Sequence, residues 1–155
     1  MENRLRICKG IITAVLAYLG DELGILCPAL SLLTAFMVLD YVSGMLAAKK
    51  EALEHPNDKN YGWSSKKGII GIYKKVGYIL TVLVALAADY LIIKFVNELG
   101  IQYERNTTFG LLVLVWLIVN EMLSVLENAG RMGVKLPEFL VKVLSVLKNE
   151  MDNKN

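Results

Sequence analysis

Three carboxylates stand where the surrounding residues are otherwise apolar: Asp40 in VLDYVSGMLAAKK, Asp89 in ALAADYLII and Glu121 in LIVNEMLSVL. An ionised acid near the centre of a bilayer costs at least about 2.5 to 3.5 kcal/mol on insertion scales. Asp40 is therefore expected to be protonated, hydrogen-bonded or facing water. The remaining reactive side chains form no chemical centre. His55 is a lone histidine in a polar loop, and Cys8 and Cys27 are isolated, with no CxxC and no neighbouring His pair. With no nucleophile, base or metal set, the expectation is a protein that is not an enzyme and takes no metal and no cofactor.

What these acids do depends on the faces they share. In a helix, Asp40, Ser43, Gly44, Ala47 and Ala48 fall on one side, while Leu39, Val42 and Leu46 point elsewhere, toward lipid. A face of small residues with one carboxylate suits close packing in lipid, where contact and interhelical hydrogen bonds hold helices together. This face is expected to contact further copies of the chain. A second polar stripe comprises Asn120, Glu121, Ser124, Glu127, Asn128 and Arg131, with Glu127 and Arg131 spaced to pair at i, i+4. Lys74 and Lys75 are candidate charge partners for Asp40 and Glu121. The plainer alternative is that these groups satisfy one another inside a monomeric bundle. Asp89, nearer the opposite end, is expected to reach the headgroups.

The elements that must position these residues are apolar helices. The chain has 155 residues, 55% of them hydrophobic, and a mean hydropathy of +0.46, which is too apolar for an ordinary soluble domain. Net charge is only +2, and no concentrated basic face points to nucleic acid. Four apolar blocks stand out: 7–20, 24–48, 76–93 and 106–126. The last three match the roughly 20 residues that cross the hydrocarbon. The first is short and contains Lys9, so it spans only if that lysine snorkels. The fold class expected is all-α: an integral membrane protein with three firm and one marginal transmembrane helices and a C-terminal amphipathic helix. Residues 1–129 would form the membrane domain and 130–155 the tail. The N-terminus looks superficially like a signal peptide but lacks a small-residue cleavage site, so it is expected to be retained.

Positive charge in short loops sets orientation. Segment 49–75, read as a loop, carries Lys49, Lys50, Lys59, Lys66, Lys67, Lys74 and Lys75, and the tail carries Arg131, Lys135, Lys142, Lys148 and Lys154. Both are expected in the cytoplasm. Four spans would also put the N-terminus inside; three would put it outside. Within the loop, Pro56, Asn57 and Asp58 argue against helix beyond Leu53. Trp63 is a candidate interface anchor, and Ser64 or Ser65 can cap a new helix whose Ile69, Ile70, Ile72 and Tyr73 form an apolar stripe, a piece expected to lie along the membrane before turning in. In the tail, Gly130 and Gly133 can end a helix, and Pro137 suits the start of the next. There Leu140, Val143, Leu144, Leu147 and Met151 recur at helical spacing. This amphipathic helix would lie on the inner leaflet, pack under the bundle or contact a neighbouring subunit.

Three motifs in order carry a resemblance: LDYVSGMLAA, SSKKGIIGIYKK and NEMLSVLENAGRMGVKLPEFL. Together they resemble the bacteriophage holin family that includes the clostridial toxin-secretion holins. The matching positions are Leu39, Asp40, Ser43 and Gly44, then Ser64, Gly68 and Lys74, then Asn120, Glu121, Ser124, Glu127, Asn128, Gly133 and Pro137. The resemblance covers roughly residues 32–147. It implies a homo-oligomer in the bacterial cytoplasmic membrane whose partners are itself and the lipid bilayer. Its timed lesions would release an endolysin, or a toxin in some hosts, with no need to bind that cargo. The rival reading is a small membrane scaffold or accessory subunit without pore activity.

Overall fold

A computed structural model describes residue 6 and residues 24–58, 61–101 and 107–152. The short first block, on which the choice between three and four spans turns, lies outside the described residues. Four helices follow in order: α1 (Leu26–Glu54), α2 (Ser65–Glu98), α3 (Thr108–Arg131) and α4 (Glu138–Asp152). No strand occurs among the described residues. The first three helices are each long and apolar enough to cross a membrane.

Local chemistry sets the ends. Pro28 lies in the first turn of α1, where a missing N–H costs nothing. The same helix stops at Glu54, because the residue before Pro56 is pushed out of the helical region; His55 has φ −125° and ψ 64°. Helices α2 and α3 end alike. Gly100 and Gly133 take positive φ values of 77° and 95°. Their amides bond back to Asn97 and Gly130, and those of Ile101 and Val134 to Val96 and Ala129. This double return satisfies carbonyls that the helix leaves open.

The polar segment expected to lie along the membrane is instead the start of α2, which runs unbroken from Ser65 to Glu98. No proline interrupts it, and lysines 66, 67, 74 and 75 are good helix formers. Residues 49–54 likewise extend α1, so the connection read as 49–75 is reduced to 55–64. At about 1.5 Å per residue, α2 outruns a hydrocarbon core of about 30 Å, so its lysine-rich first turns project beyond it.

Helix α3 is the centre of the bundle: α1 packs along it, α2 packs against it, and α1 and α2 barely touch each other. The core joins Leu26 and Leu33 of α1, Tyr78 and Val82 of α2, and Leu114, Leu117 and Ile118 of α3. Outside it, Leu39, Val42, Leu46, Leu83, Val84, Leu91, Leu112 and Trp116 are exposed, as helices in lipid require. Hydroxyls in these apolar helices bond to their own backbone: Ser31 to the Cys27 carbonyl, Thr34 to that of Leu30 and Thr81 to that of Gly77, each at 2.9 Å. Helix α4 makes no extensive packing contact with α1–α3 among the described residues, and Phe139, Val141, Val143 and Val146 are exposed.

Candidate functional site

Around Asp40 the structure brings all three long helices together. Lys75 of α2 donates to Asp40 Oδ2 of α1 at 2.9 Å and to Glu121 Oε2 of α3. Glu121 is 1% exposed, and its second oxygen, Oε1, has no hydrogen-bond partner among the described residues. One ammonium thus holds two carboxylates on different helices. In a medium that solvates ions poorly, removing the shared cation would strand both.

The cluster continues outward. Asn128, 7% exposed, directs its Nδ2 at Asp40 Oδ1 (3.2 Å), the Asp40 carbonyl (3.3 Å) and Ser43 Oγ (3.0 Å). Arg131 Nη1 donates to Asn128 Oδ1 at 3.1 Å, while its Nε and Nη2 grip Glu51 Oε1 and Oε2, both at 2.8 Å. A continuous polar ladder therefore runs Glu121, Lys75, Asp40, Asn128, Arg131, Glu51, from the buried middle of the bundle to its exposed end. Small residues allow the approach. A β-carbon on Gly44 would stand 3.5 Å from Asn128 Nδ2, and Ala47 is fully buried.

Beside the ladder lies a cavity of about 220 Å³, lined by Asp40, Tyr41, Gly44, Lys67, Gly68, Lys75, Ser124, Asn128 and Arg131 among others. The Trp63 indole closes part of it, edge-on to the Tyr41 ring at 6.0 Å between centroids. Gly68 makes room for that indole, since a β-carbon there would come within 3.2 Å of it.

The structure thus brings together Asp40, Ser43, Gly44, Lys75, Glu121 and Asn128. Lys74 takes a different role: its ammonium lies 5.4 Å from the centre of the Tyr78 ring. Adjacent residues on a helix point about 100° apart, so only Lys75 faces inward. Asn120 and Ser124 are half-buried and Glu127 is exposed. Arg131 feels the charge of Glu127 at i, i+4, as the spacing suggests, and adds a bidentate grip across the helix pair on Glu51. Planar, two-point geometry favours that carboxylate.

Asp89 needs a fuller correction. Rather than reaching headgroups, it is 5% exposed and accepts from the amides of Phe109 (2.9 Å, Oδ1) and Gly110 (2.7 Å, Oδ2). These first-turn amides of α3 have no partner within their own helix, and the helix dipole favours a negative charge beside them. Gly110 was the available signal for this contact.

The sequence profile of the bacteriophage holin family matches residues 14–149. An uncharacterized protein of Halalkalibacterium halodurans is 33% identical over 97% of this chain and 98% of its own length. One from Listeria innocua is 34% identical over 86% of this chain and 79% of its own. An uncharacterized 14.9 kDa protein encoded in the nagH 3′ region of Clostridium perfringens is 31% identical over 79% of this chain and 78% of its own. No solved structure matches the chain. Three apolar helices and a profile that covers most of the sequence agree on a multi-pass membrane protein, and the chain belongs to the bacteriophage holin family.

Proposed function

We propose that the chain is a holin that gathers with its own copies in the bacterial cytoplasmic membrane and opens lesions at a set time. An endolysin, or a toxin in some hosts, then leaves the cytoplasm. The action is mechanical, not enzymatic. The lysine-bearing connection between α1 and α2 faces the cytoplasm by the positive-inside rule, and so does the tail beyond α3. Helix α4 lies along the inner lipid surface.

The observation that carries this reading is the Asp40–Lys75–Glu121 cluster, held within helices whose outer surfaces are apolar. Ionisable side chains inside a bundle are expensive in lipid and mark functional positions more often than spans that only cross. Closed, the charges satisfy one another; with the helices rearranged, the same residues and the small face of Ser43, Gly44 and Ala47 line a wet rim between copies. Moving one charge across the field is worth about 2.3 kcal/mol per 100 mV, so loss of the membrane potential shifts the balance between the two arrangements.

Timed expression in bacteria tests the function. With an endolysin present, growth should stop abruptly and a cytoplasmic enzyme should appear in the medium. Continued growth with no release would favour the scaffold.

A further inference from the structure

Polar ties fasten α2 to its neighbours at Lys75 and at Asp89. On a helix that rises about 1.5 Å per residue they lie about 21 Å apart. Between them, Tyr78, Val82 and Ala85 form the buried seam of α2. The two ties differ in what their rupture would leave behind.

At Asp89, both carboxylate oxygens meet backbone amides of α3. Separation there would cost a buried carboxylate both its partners and free two first-turn N–H groups that have no acceptor within their own helix. At Lys75 the balance is different. One ammonium serves two acids, and Glu121 Oε1 has no hydrogen-bond partner among the described residues. Asp40 and Lys75 line a cavity of about 220 Å³, several times the share of about 30 Å³ that one water occupies. Released charges at this end therefore have a route to solvation. Toward α1 little else holds α2, because the two helices scarcely touch; toward α3 it is held by the apolar seam that begins at Tyr78.

We infer that the two ties act as a latch and a hinge: α2 parts from α1 and α3 at Lys75 while Asp89 keeps it fixed to the start of α3. The opening uncovers Asp40, Glu121 and the Gly44 face together. Its consequence for lysis rests on the holin reading, so the test measures the motion itself.

The full-length chain, with Cys8 and Cys27 replaced by serine, is reconstituted in vesicles of phosphatidylethanolamine and phosphatidylglycerol. Spin labels are placed at Ile72 and Met122 to report the latch end, or at Leu91 and Leu112 to report the hinge end; all four positions are exposed. Dipolar distance distributions are compared for the parent, Lys75→Met and Glu121→Gln. In Lys75→Met the latch pair should at least double in width and extend to longer distances, while the hinge pair keeps the parent distribution. An unchanged latch pair, or a hinge pair that broadens alone, overturns the inference. Should both pairs broaden in Lys75→Met, Glu121→Gln decides by the same criteria, and joint broadening there too overturns it. A moving latch in a chain that fails the lysis assay would sink the holin reading and leave the motion standing.

Discussion

The Asp89 carboxylate accepts a hydrogen bond from the Gly110 amide at 2.7 Å, an approach that depends on residue 110 having no side chain. A β-carbon there would stand 2.6 Å from a Leu86 methyl and 3.2 Å from Asp89 Oδ2. Gly110→Ala should therefore destabilise the chain in detergent by about 1 to 3 kcal/mol, the usual cost of overpacking. Gly77 offers the opposite case within α2, since a β-carbon there meets nothing within 4 Å. Gly77→Ala should raise stability by about 0.5 to 1 kcal/mol through reduced backbone entropy. Denaturant unfolding in micelles measures both, and equal effects of the same sign would mean that Asp89 does not need the close approach.

Burial, not hydrogen-bond geometry, should rank the ion pairs. Arg131 and Glu51 make the better-formed contact, two bonds at 2.8 Å, yet the arginine side chain is 38% exposed. Lys75 and Glu121 are 16% and 1% exposed. Lys75→Met should cost about 3 to 5 kcal/mol because it leaves two interior acids without their cation. Arg131→Ala should cost about 1 kcal/mol or less from the ion pair. The same unfolding assay decides the order, and a reversed ranking would place the cluster in water.

The spans were legible in the sequence because hydropathy is a property of the solvent each helix must meet, and the runs around Asp40, Asp89 and Glu121 admit no other charge. The glycine stops after α2 and α3 and the break before Pro56 could be read for similar local reasons. Interhelical phase could not. Nothing in the order Lys74–Lys75 says which ammonium faces α3, and that depends on how α2 is rotated against its neighbour. The interaction of Arg131 with Glu127 was legible because local spacing is visible in one dimension, whereas its grip on Glu51 was not, because Glu51 is distant along the chain. Asp89 was misplaced since its partners are backbone amides, which no residue type advertises; the bare position at Gly110 was the only trace. The start of α2 after Ser64 was legible from its capping residue, but its unbroken run into the span was not, because the lysine pairs suggest a piece that stays at the surface while remaining sound helix.

Timing should respond to Asp40 in a way that separates charge from packing. Asp40→Asn keeps the shape and an oxygen for Asn128 but removes one acid from Lys75, leaving Glu121 as its partner. Asp40→Ala removes the contact altogether. Both should shift the onset of lysis from that of the parent chain, with Asp40→Ala shifting it further. Culture density followed after induction gives the answer. Onset unchanged in both variants would make Asp40 a structural residue with no share in opening.

Helix α4 provides the last test, since several of its apolar side chains are exposed among the described residues. Phe139, Val143 and Val146 are exposed, and a link of residues 132–137 ties the helix to the end of spanning helix α3. At about 3.4 Å per extended residue that link keeps α4 within about 20 Å of the point where α3 ends. Sequence spacing puts Phe139, Leu140, Val143, Leu144 and Leu147 on one side, opposite Glu138, Lys142, Ser145 and Asn149. A helix of this kind rests in the plane of the lipid surface with its apolar side turned into the acyl boundary. An environment-sensitive fluorophore on a single cysteine at Val143 should then emit as in an apolar medium when the chain is in vesicles, and be quenched by brominated lipid. The same probe at Lys142 should report water. Water-like emission at both positions would detach α4 from the membrane, and apolar emission at Val143 without lipid quenching would assign its covering to a second copy instead.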